Sequence, residues 1–124
     1  MSKLIIAIPR GRIIKELKPI LKKTSFAPEN EMFDDKSRKL TFLSKNKDIN
    51  FIKVRAFDAC TFVAFGAAQI GIAGEDVIKE YNYSEIYAPL ELNIGHCRLS
   101  VAALKTLLKK EDPATWSNIR VATK

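Results

Sequence analysis

The chain has 124 residues, of which 47% are hydrophobic and 28% charged, and this balance predicts one globular domain and excludes a disordered chain. No apolar run approaches the roughly 20 residues that span a bilayer. The run from Leu4 to Ile8 is too short for a signal peptide, so the sequence predicts a cytoplasmic protein. The net charge of +7 favours polyanionic partners such as nucleic acid, membrane headgroups or phosphorylated small molecules, although a solvated lysine-rich face would give the same charge.

The first quarter of the chain predicts a strand, a helix and a loop. Residues 3–9 form a continuous apolar run, which is typical of a strand buried on both faces. Apolar residues at helical spacing from Ile13 to Leu21 predict a helix that opens at residues 10–12. Pro19 is expected to kink or shorten this helix. Residues 24–37 are polar, contain turn formers and predict a loop.

A hairpin and a short helix are predicted next. Strand patterns at residues 39–43 and 51–54 are separated by a polar stretch, which favours a hairpin with a longer loop. Asp58 is a candidate N-cap for a helix that continues through Phe65, and Gly66 is a candidate stop.

The second half of the chain predicts further strands and two short helical segments. A helix is expected after Gly74, and residues 105–112 predict a lysine-rich turn or short helix. Strands are expected at residues 70–73, 86–92, 98–104 and 119–122. Alternating strands and helices favour an α/β fold with a largely parallel sheet.

Three strand ends present candidate ligand-binding residues. The turn from Pro9 to Arg12 lies between a buried strand and a helix, where backbone N–H groups favour anions and two guanidinium groups add phosphate donors. Arg55 ends a second strand, and residues 74–76 begin a helix after a third. Each feature has an ordinary alternative, such as surface arginines or acidic residues that suit the helix dipole. Their convergence at one edge of a sheet nevertheless predicts a site.

Several other kinds of site do not match the sequence. Gly66 and Gly71 have the spacing of a phosphate loop, but the required Lys-Ser/Thr does not follow. Cys60, Cys97 and the single histidine, His96, match no metal-site spacing and are interpreted as structural residues. There is no Ser-His-Asp or Cys-His arrangement and no close carboxylate pair. An enzyme with this sequence would rely on positioning and on charge stabilisation by arginine.

Six ordered segments cover nearly the whole chain. They are Ile-Ala-Ile-Pro-Arg-Gly-Arg at 6–12, Ser-Arg-Lys-Leu-Thr-Phe at 37–42, Val-Arg-Ala-Phe-Asp at 54–58 with Thr-Phe-Val at 61–63 and Gly-Ala-Ala at 66–68, Ile-Gly-Ile-Ala-Gly-Glu-Asp-Val at 70–77, Gly-His-Cys-Arg-Leu at 95–99 and Arg-Val-Ala-Thr-Lys at 120–124. In this order they resemble the ATP phosphoribosyltransferase family, which catalyses the first step of histidine biosynthesis.

The resemblance implies a fold like the type II periplasmic binding proteins, with two α/β lobes that face each other across a cleft. Residues 1–94 would form the first lobe without its chain return, and residues 95–124 would begin the second. The family's acidic, Thr-Gly-Thr-containing loop, which holds the ribose phosphate of phosphoribosyl pyrophosphate, lies downstream of the segment at 120–124. We therefore expect an amino-terminal part that does not catalyse the complete reaction alone.

The resemblance also implies a pentosyl transfer. N1 of the ATP adenine attacks C1 of phosphoribosyl pyrophosphate, and pyrophosphate leaves with Mg²⁺. By motif position, Arg12 and Arg38 are the expected catalytic residues that stabilise the leaving pyrophosphate. The residues expected to line the nucleotide side are Arg10, Gly11, Arg55, Gly74 and Asp76. Expected partners are further copies of the chain or a regulatory subunit that resembles histidyl-tRNA synthetase, with no nucleic acid and no membrane.

Three departures from the family pattern keep an alternative open. Arg10 replaces the usual lysine, Gln69 stands where aspartate is usual, and Ala59-Cys60 replaces Val-Pro. The alternative is a non-catalytic remnant or nucleotide-binding module that retains the ATP half of the site. A basic nucleic-acid-binding domain also fits the charge, but the sequence lacks a recognition-helix pattern or an aromatic platform.

Overall fold

Four strands form a mixed sheet in the part of the chain that the computed structural model describes, residues 3–123. They are β1 (Leu4–Pro9), β2 (Thr41–Leu43), β3 (Ile49–Val54) and β4 (Ile70–Gly71). Their order across the sheet is β2-β3-β1-β4. The central strand β1 pairs in parallel with both β3 and β4, and β2 pairs antiparallel to β3. The predicted α/β class and the predicted hairpin are therefore confirmed.

Four α-helices accompany the sheet within residues 3–123. They are α1 (Arg12–Lys22), α2 (Asp58–Ala64), α3 (Glu75–Tyr81) and α4 (Lys105–Lys110). Short 3₁₀ turns lie at Asn30–Phe33, inside the predicted loop, and at Pro113–Thr115. In this described part of the chain, no helix combines the length and the apolar character that a membrane span requires.

Strand β1 is buried because both of its faces contribute to the core. Ile6 and Ile8 pack with Leu17 of α1 and Phe51 of β3 in one hydrophobic cluster. Ala7, whose side chain points to the opposite face, belongs to a second cluster with residues of β3 and α2. A strand with apolar neighbours on both faces has no position that favours a polar residue. This explains the continuous apolar run and confirms the predicted strand.

Two details at helix ends differ from the sequence predictions. Helix α1 continues past Pro19 to Lys22, so the predicted shortening is wrong, while a kink, the other predicted effect, stays a prediction. Pro19 removes a hydrogen bond to the carbonyl of Lys15, and Lys15 is exposed, so solvent can reach the freed group. Asp58 is not an N-cap, since it is the first residue of α2 and Phe57 occupies the cap position. Its carboxylate still lies in the first turn, where it suits the helix dipole.

Three predicted strands in the second half of the chain are wrong. Residues 86–92, 98–104 and 119–122 have no strand structure, and β4 is shorter than the predicted 70–73 and is exposed rather than buried. The apolar side chains of Leu99 and Val101 are 100% and 91% exposed. A strand requires a neighbour to satisfy its N–H and C=O groups, and residues 3–123 provide none for these segments. The predicted short helix at residues 105–112 is confirmed as α4.

The chain crosses back over α1 at residues 92–95. Leu92 and Ile94 pack against the hydrophobic cluster that contains α1. The Gly95 N–H donates a hydrogen bond to Oε2 of Glu16 at 2.7 Å. Gly95 has a φ of +68°, and a Cβ at this position would clash with Cδ1 of Ile13. Glycine suits both the left-handed backbone and the close approach, and any other residue here would require Ile13 to move.

We predict that Gly95→Ala lowers the free energy of unfolding by about 1–3 kcal/mol, because it adds backbone strain and displaces Ile13. Gly66→Ala is the matched control, since Gly66 also has a positive φ (+74°) but no atom lies within 4 Å of the place that a Cβ would take. It should therefore cost less, at about 1–2 kcal/mol. Urea denaturation measures both. Equal losses would contradict the proposed contact between Gly95 and Ile13.

Candidate functional site

Two arginines leave the sheet at the same edge. Pro9 of β1 and Val54 of β3 are paired in the parallel register, so the next residues, Arg10 and Arg55, begin neighbouring turns. The Arg10 N–H donates a hydrogen bond to the Val54 carbonyl at 2.8 Å and joins the two turns. Both arginine residues are exposed. The carboxyl ends of parallel strands are where α/β sheets bind ligands, and the structure places both predicted residues there.

The start of α1 adds backbone donors to this edge. Gly11 precedes the helix with a φ of +98°, and its side-chain direction is open space. Among the described residues no side chain caps the helix, so its first-turn N–H groups remain available to a ligand. The N-terminus of an 11-residue helix carries a partial positive charge that favours an anion. Gly11 therefore lets a ligand approach the backbone closely.

A small cavity of about 80 Å³ lies at the junction of these elements. Its lining combines positive groups with one carboxylate, Asp35, which forms an ion pair with Lys15 at 3.1 Å. The lining residues are Arg10, Gly11, Ile14, Asp35, Ser37 and Lys53. Two of the seven predicted site residues, Arg10 and Gly11, are among them. The cavity is too small for a whole nucleotide and suits a single phosphate group.

Lys53 is a lining residue that the sequence prediction missed. It lies in β3 and is 8% exposed. Its Nζ donates a hydrogen bond to the Asp34 carbonyl at 3.3 Å and lies 5.3 Å from the centre of the Phe42 ring. The sequence offered one signal for a buried lysine here. Lys53 follows the apolar Phe51 by two residues in a short strand, and side chains at this spacing share one face of a sheet.

The two predicted catalytic arginines flank the cavity and do not line it. Arg12 is the first residue of α1, and its Nε lies 3.7 Å from Oε1 of Glu16. The same Glu16 carboxylate accepts the hydrogen bond from Gly95, so one side chain contacts both the start of the helix and the crossing segment. Arg38 is exposed and follows Ser37, a lining residue, in the chain. The structure thus places Arg12 at the start of α1 and Arg38 on a loop, each next in the chain to a residue that lines the cavity.

Gly74 and Asp76 lie at the same sheet edge but outside this cavity. Strand β4 runs parallel to β1 and ends at Gly71, and Gly74 follows it as the residue before α3. The Asp76 carboxylate lies against Gly74, since a Cβ at Gly74 would clash with Oδ1 of Asp76. Gly74 is the N-cap of α3 and Asp76 lies in its first turn. Strand β4, which leads into α3, is separated from β3 by β1.

Polar contacts hold the loop that carries Ser37 and Arg38. The Ser37 hydroxyl donates to Oε1 of Glu31 at 2.8 Å, and Lys39 Nζ donates to Oε1 of Glu29 at 2.6 Å. The hydrogen bond from Lys39, followed by one from the Leu43 N–H, lowers the pKa of Glu29 from its ordinary value. The same contact with Glu29 raises the pKa of Lys39. The loop is therefore fixed by charge-assisted hydrogen bonds.

Other candidate sites have simpler explanations. Gly71 lies directly under α2, where a Cβ would be 2.8 Å from Cγ2 of Val63, so its glycine is required for packing. Burial raises the pKa of the Cys60 thiol, which disfavours the reactive thiolate. No group of three or more potential metal-ligating side chains occurs within residues 3–123. A larger hollow of about 560 Å³ lies between α4 and the last 3₁₀ turn, away from the sheet edge.

Comparison with known proteins decides the family. The family model for ATP phosphoribosyltransferase (HisG) matches residues 55–124, which is more than half of the chain. This chain belongs to the ATP phosphoribosyltransferase family. It is 53% identical to the ATP phosphoribosyltransferase of Rhodospirillum rubrum and 51% identical to that of Rhizorhabdus wittichii. These matches cover 99% of this chain but 54% and 56% of the relatives, so the chain spans about half the length of the curated relatives it matches.

A solved structure supports the same assignment. The chain is similar to a chain of the ATP phosphoribosyl transferase (HisG:HisZ) complex from Thermotoga maritima, with a TM-score of 0.51 and 34% identity. The similarity covers 65% of this chain and 36% of that chain. It confirms the α/β fold with a mixed sheet.

Gln69, one of the departures from the family pattern, has a structural role. Its side-chain Oε1 accepts a hydrogen bond from the Ile5 N–H at 2.8 Å. Its backbone N–H donates to the Ile5 carbonyl at 3.0 Å. Gln69 therefore extends the pairing of β1 with the β4 side of the sheet, and it is not among the residues that line the Arg10 cavity.

We predict that Glu29→Gln removes an acid-sensitive part of the stability. Because the folded pKa of Glu29 lies below its ordinary value of 4.5, its stabilisation is complete above that value and is lost as the pH falls through the folded pKa. The urea midpoint of the variant should therefore be lower than that of the wild type at pH 7, and the gap should close on acidification.

Glu80→Gln, on the exposed side of α3, is the matched control. Its urea midpoint should equal that of the wild type both at pH 7 and at acidic pH. A gap for Glu29→Gln that stays constant as the pH falls well below the ordinary pKa of glutamate would contradict the role assigned to the contact between Glu29 and Lys39.

Proposed function

We propose that this chain is the amino-terminal part of an ATP phosphoribosyltransferase and supplies the ATP half of its active site. One observation supports this more than any other. The Arg10 and Arg55 turns and the uncapped start of α1 meet at one edge of the sheet, joined by the hydrogen bond from Arg10 to Val54. Guanidinium groups and helix N-termini both bind phosphates, and the family's two substrates carry polyphosphates.

The proposed reaction transfers a phosphoribosyl group to ATP. A bond forms between adenine N1 and C1 of phosphoribosyl pyrophosphate, the bond from C1 to the pyrophosphate oxygen breaks, and the leaving group takes the electron pair. Negative charge therefore grows on the pyrophosphate in the transition state. Residues that bind this group more tightly as it departs lower the barrier.

We assign the residues by their places around the cavity. Arg12 and Arg38 are the proposed catalytic residues, because both are exposed and each follows a lining residue in the chain, Arg12 at the start of α1 and Arg38 on a loop. The proposed nucleotide-binding residues are Arg10, Gly11, Arg55, Gly74 and Asp76. Mg²⁺ would enter with the substrates, because it is commonly bound through phosphate oxygens and few carboxylates, and the described residues form no acidic cluster for it.

The proposed whole protein has two lobes of the type II periplasmic-binding-protein kind. Residues 1–94 would belong to the first lobe and residues 95–124 to the second. The exposed apolar side chains between Leu99 and Val121 support this division, because they are typical of core positions that lack their neighbours. The tight crossing at Gly95 supports a boundary at the same position.

We also propose an assembly partner for the whole protein. The similar structure from Thermotoga maritima is a HisG:HisZ complex. We infer that the partner is a regulatory subunit of the HisZ type. This subunit would be the one expected from the family resemblance, which is similar to histidyl-tRNA synthetase. Association with further copies of this chain is the other form of assembly.

A second candidate function is nucleotide binding without catalysis. It is favoured by the composition of the cavity, whose lining residues all lie between Arg10 and Lys53. ATP binding to this segment would then not require the part of the longer relatives that this chain does not match. Binding and turnover are separate measurements, so the two functions can be distinguished.

We predict that the chain binds ATP in the presence of Mg²⁺ and that Arg10→Ala weakens this binding. Loss of one hydrogen bond between charged groups costs about 1.5–3 kcal/mol, which corresponds to roughly a tenfold to hundredfold increase in Kd. Isothermal titration calorimetry of the folded proteins measures the change.

Lys22→Ala is the matched control, because Lys22 is an exposed cation at the opposite end of α1. It should leave the Kd unchanged. An equal weakening by Lys22→Ala would show that only net charge attracts ATP. Absence of ATP binding to the folded wild-type chain would contradict the proposed half-site.

A further inference from the structure

We propose that Lys53 is a phosphate-binding residue, with its ammonium group directed into the Arg10 cavity to hold one phosphate group of a polyphosphate. None of the family motifs described above assigns a role to this residue. The inference rests on the proposed function and specifies a ligand group for the same site.

The burial of Lys53 is the first observation. It is 8% exposed and is the one charged residue in the buried set within residues 3–123. A buried charge is costly unless it is paired. Within the described part of the chain no carboxylate lies within ion-pair distance of its Nζ. Asp35, the carboxylate in the cavity lining, is paired with Lys15 instead.

The hydrogen bonding of Lys53 is incomplete without a ligand. An ammonium group has three N–H donors. Among the described residues its hydrogen-bond acceptor is the Asp34 carbonyl, at the long distance of 3.3 Å. The Phe42 ring, with its centre at 5.3 Å, supplies a cation–π contact on one side. A phosphate group would provide the acceptors that the protein itself does not.

The position of Lys53 in the sheet places it next to the other anion-binding groups. Lys53 pairs with Ile8 in the parallel register, two residues before Arg10. Its side chain lines the same 80 Å³ cavity as Arg10 and the Gly11 backbone at the start of α1. Two cationic side chains around one small cavity repel each other until an anion enters. This combination selects a phosphate group over a neutral base or sugar.

Lys39 provides a natural comparison on the same aromatic ring. Its Nζ lies 5.4 Å from the centre of the Phe42 ring, nearly the same distance as that of Lys53. Lys39 is, however, paired with Glu29 and Glu31, at 2.6 and 3.6 Å. Its charge is therefore satisfied within the protein, and it is absent from the cavity lining. Lys39 has the environment of a structural lysine, and Lys53 does not.

The test compares Lys53→Met with Lys39→Met, since methionine keeps much of the length and the contact with Phe42 but removes the charge. ATP with Mg²⁺ and inorganic pyrophosphate are titrated separately into each folded protein, and Tm is measured in parallel. We expect Lys53→Met to weaken binding of at least one of the two by about tenfold or more, while its Tm is unchanged or higher. Lys39→Met should lower Tm and leave both affinities unchanged.

The two titrations also identify the source of the phosphate. Weaker binding of ATP alone assigns the cavity to the nucleotide. Weaker binding of pyrophosphate shows that the cavity accepts the pyrophosphate group that leaves in the proposed reaction. If Lys53→Met lowers Tm and retains both wild-type affinities, the lysine is structural and the proposal is wrong, although the proposed function stands. If wild-type protein binds neither probe, both proposals are wrong.

A measurement on the wild-type protein avoids any dependence on the folding of the variant. The NMR signals of the Lys53 side-chain Cε–Hε groups should shift when pyrophosphate or ATP is added, while those of Lys39 should not. Unchanged Lys53 signals at saturating ligand would overturn the proposal.

Discussion

The parallel pairing of β1 with β3 is the constraint on which the rest of the molecule depends. It covers six residue pairs, from Leu4 with Ile49 to Pro9 with Val54, and it sets where both strands end. Because the two strands run in the same direction and stop together, the turns that follow them lie at one edge. The hydrogen bond from Arg10 to Val54 fixes the relation between these turns. A shift in this register would separate Arg10 from Arg55 and move Lys53 to the other face.

The same pairing links core packing to the charge distribution. Phe51 and Lys53 lie on the same face of β3. Phe51 is fully buried in the core, and Lys53, two residues later, lines the cavity. The aromatic ring of Phe42, on the neighbouring strand, contacts the ammonium groups of both Lys39 and Lys53. The hydrophobic core therefore ends in a layer of cations at the sheet edge. In the proposed function, this arrangement gives the net positive charge of the chain a local role.

The sequence predicted the parts of this fold whose stability is local or comes from β1. The continuous apolar run at residues 3–9, the amphipathic helix and the hairpin were all predictable, because each has a periodic pattern and a partner nearby in the chain. The segments at 98–104 and 119–122 have comparable strand patterns, yet they form no strands because pairing depends on neighbours that residues 3–123 do not provide. Arg10 and Gly11 were predictable from a strand–turn–helix motif. For Lys53 the sequence offers its spacing from Phe51 and nothing more, since its burial and unmatched donors are visible only in three dimensions.

The most direct test of the central claim is to map polyphosphate binding onto the backbone amides by NMR, with inorganic pyrophosphate added to the ¹⁵N-labelled chain. We expect the largest shifts to cluster at residues 10–12 and 53–55, at the end of the two parallel strands. Shifts that instead centre on the lysine-rich helix at residues 105–110, or that spread evenly over all basic segments, would contradict this claim. Such a result would mean that the positive charge acts as a whole and that the paired strands build no specific site.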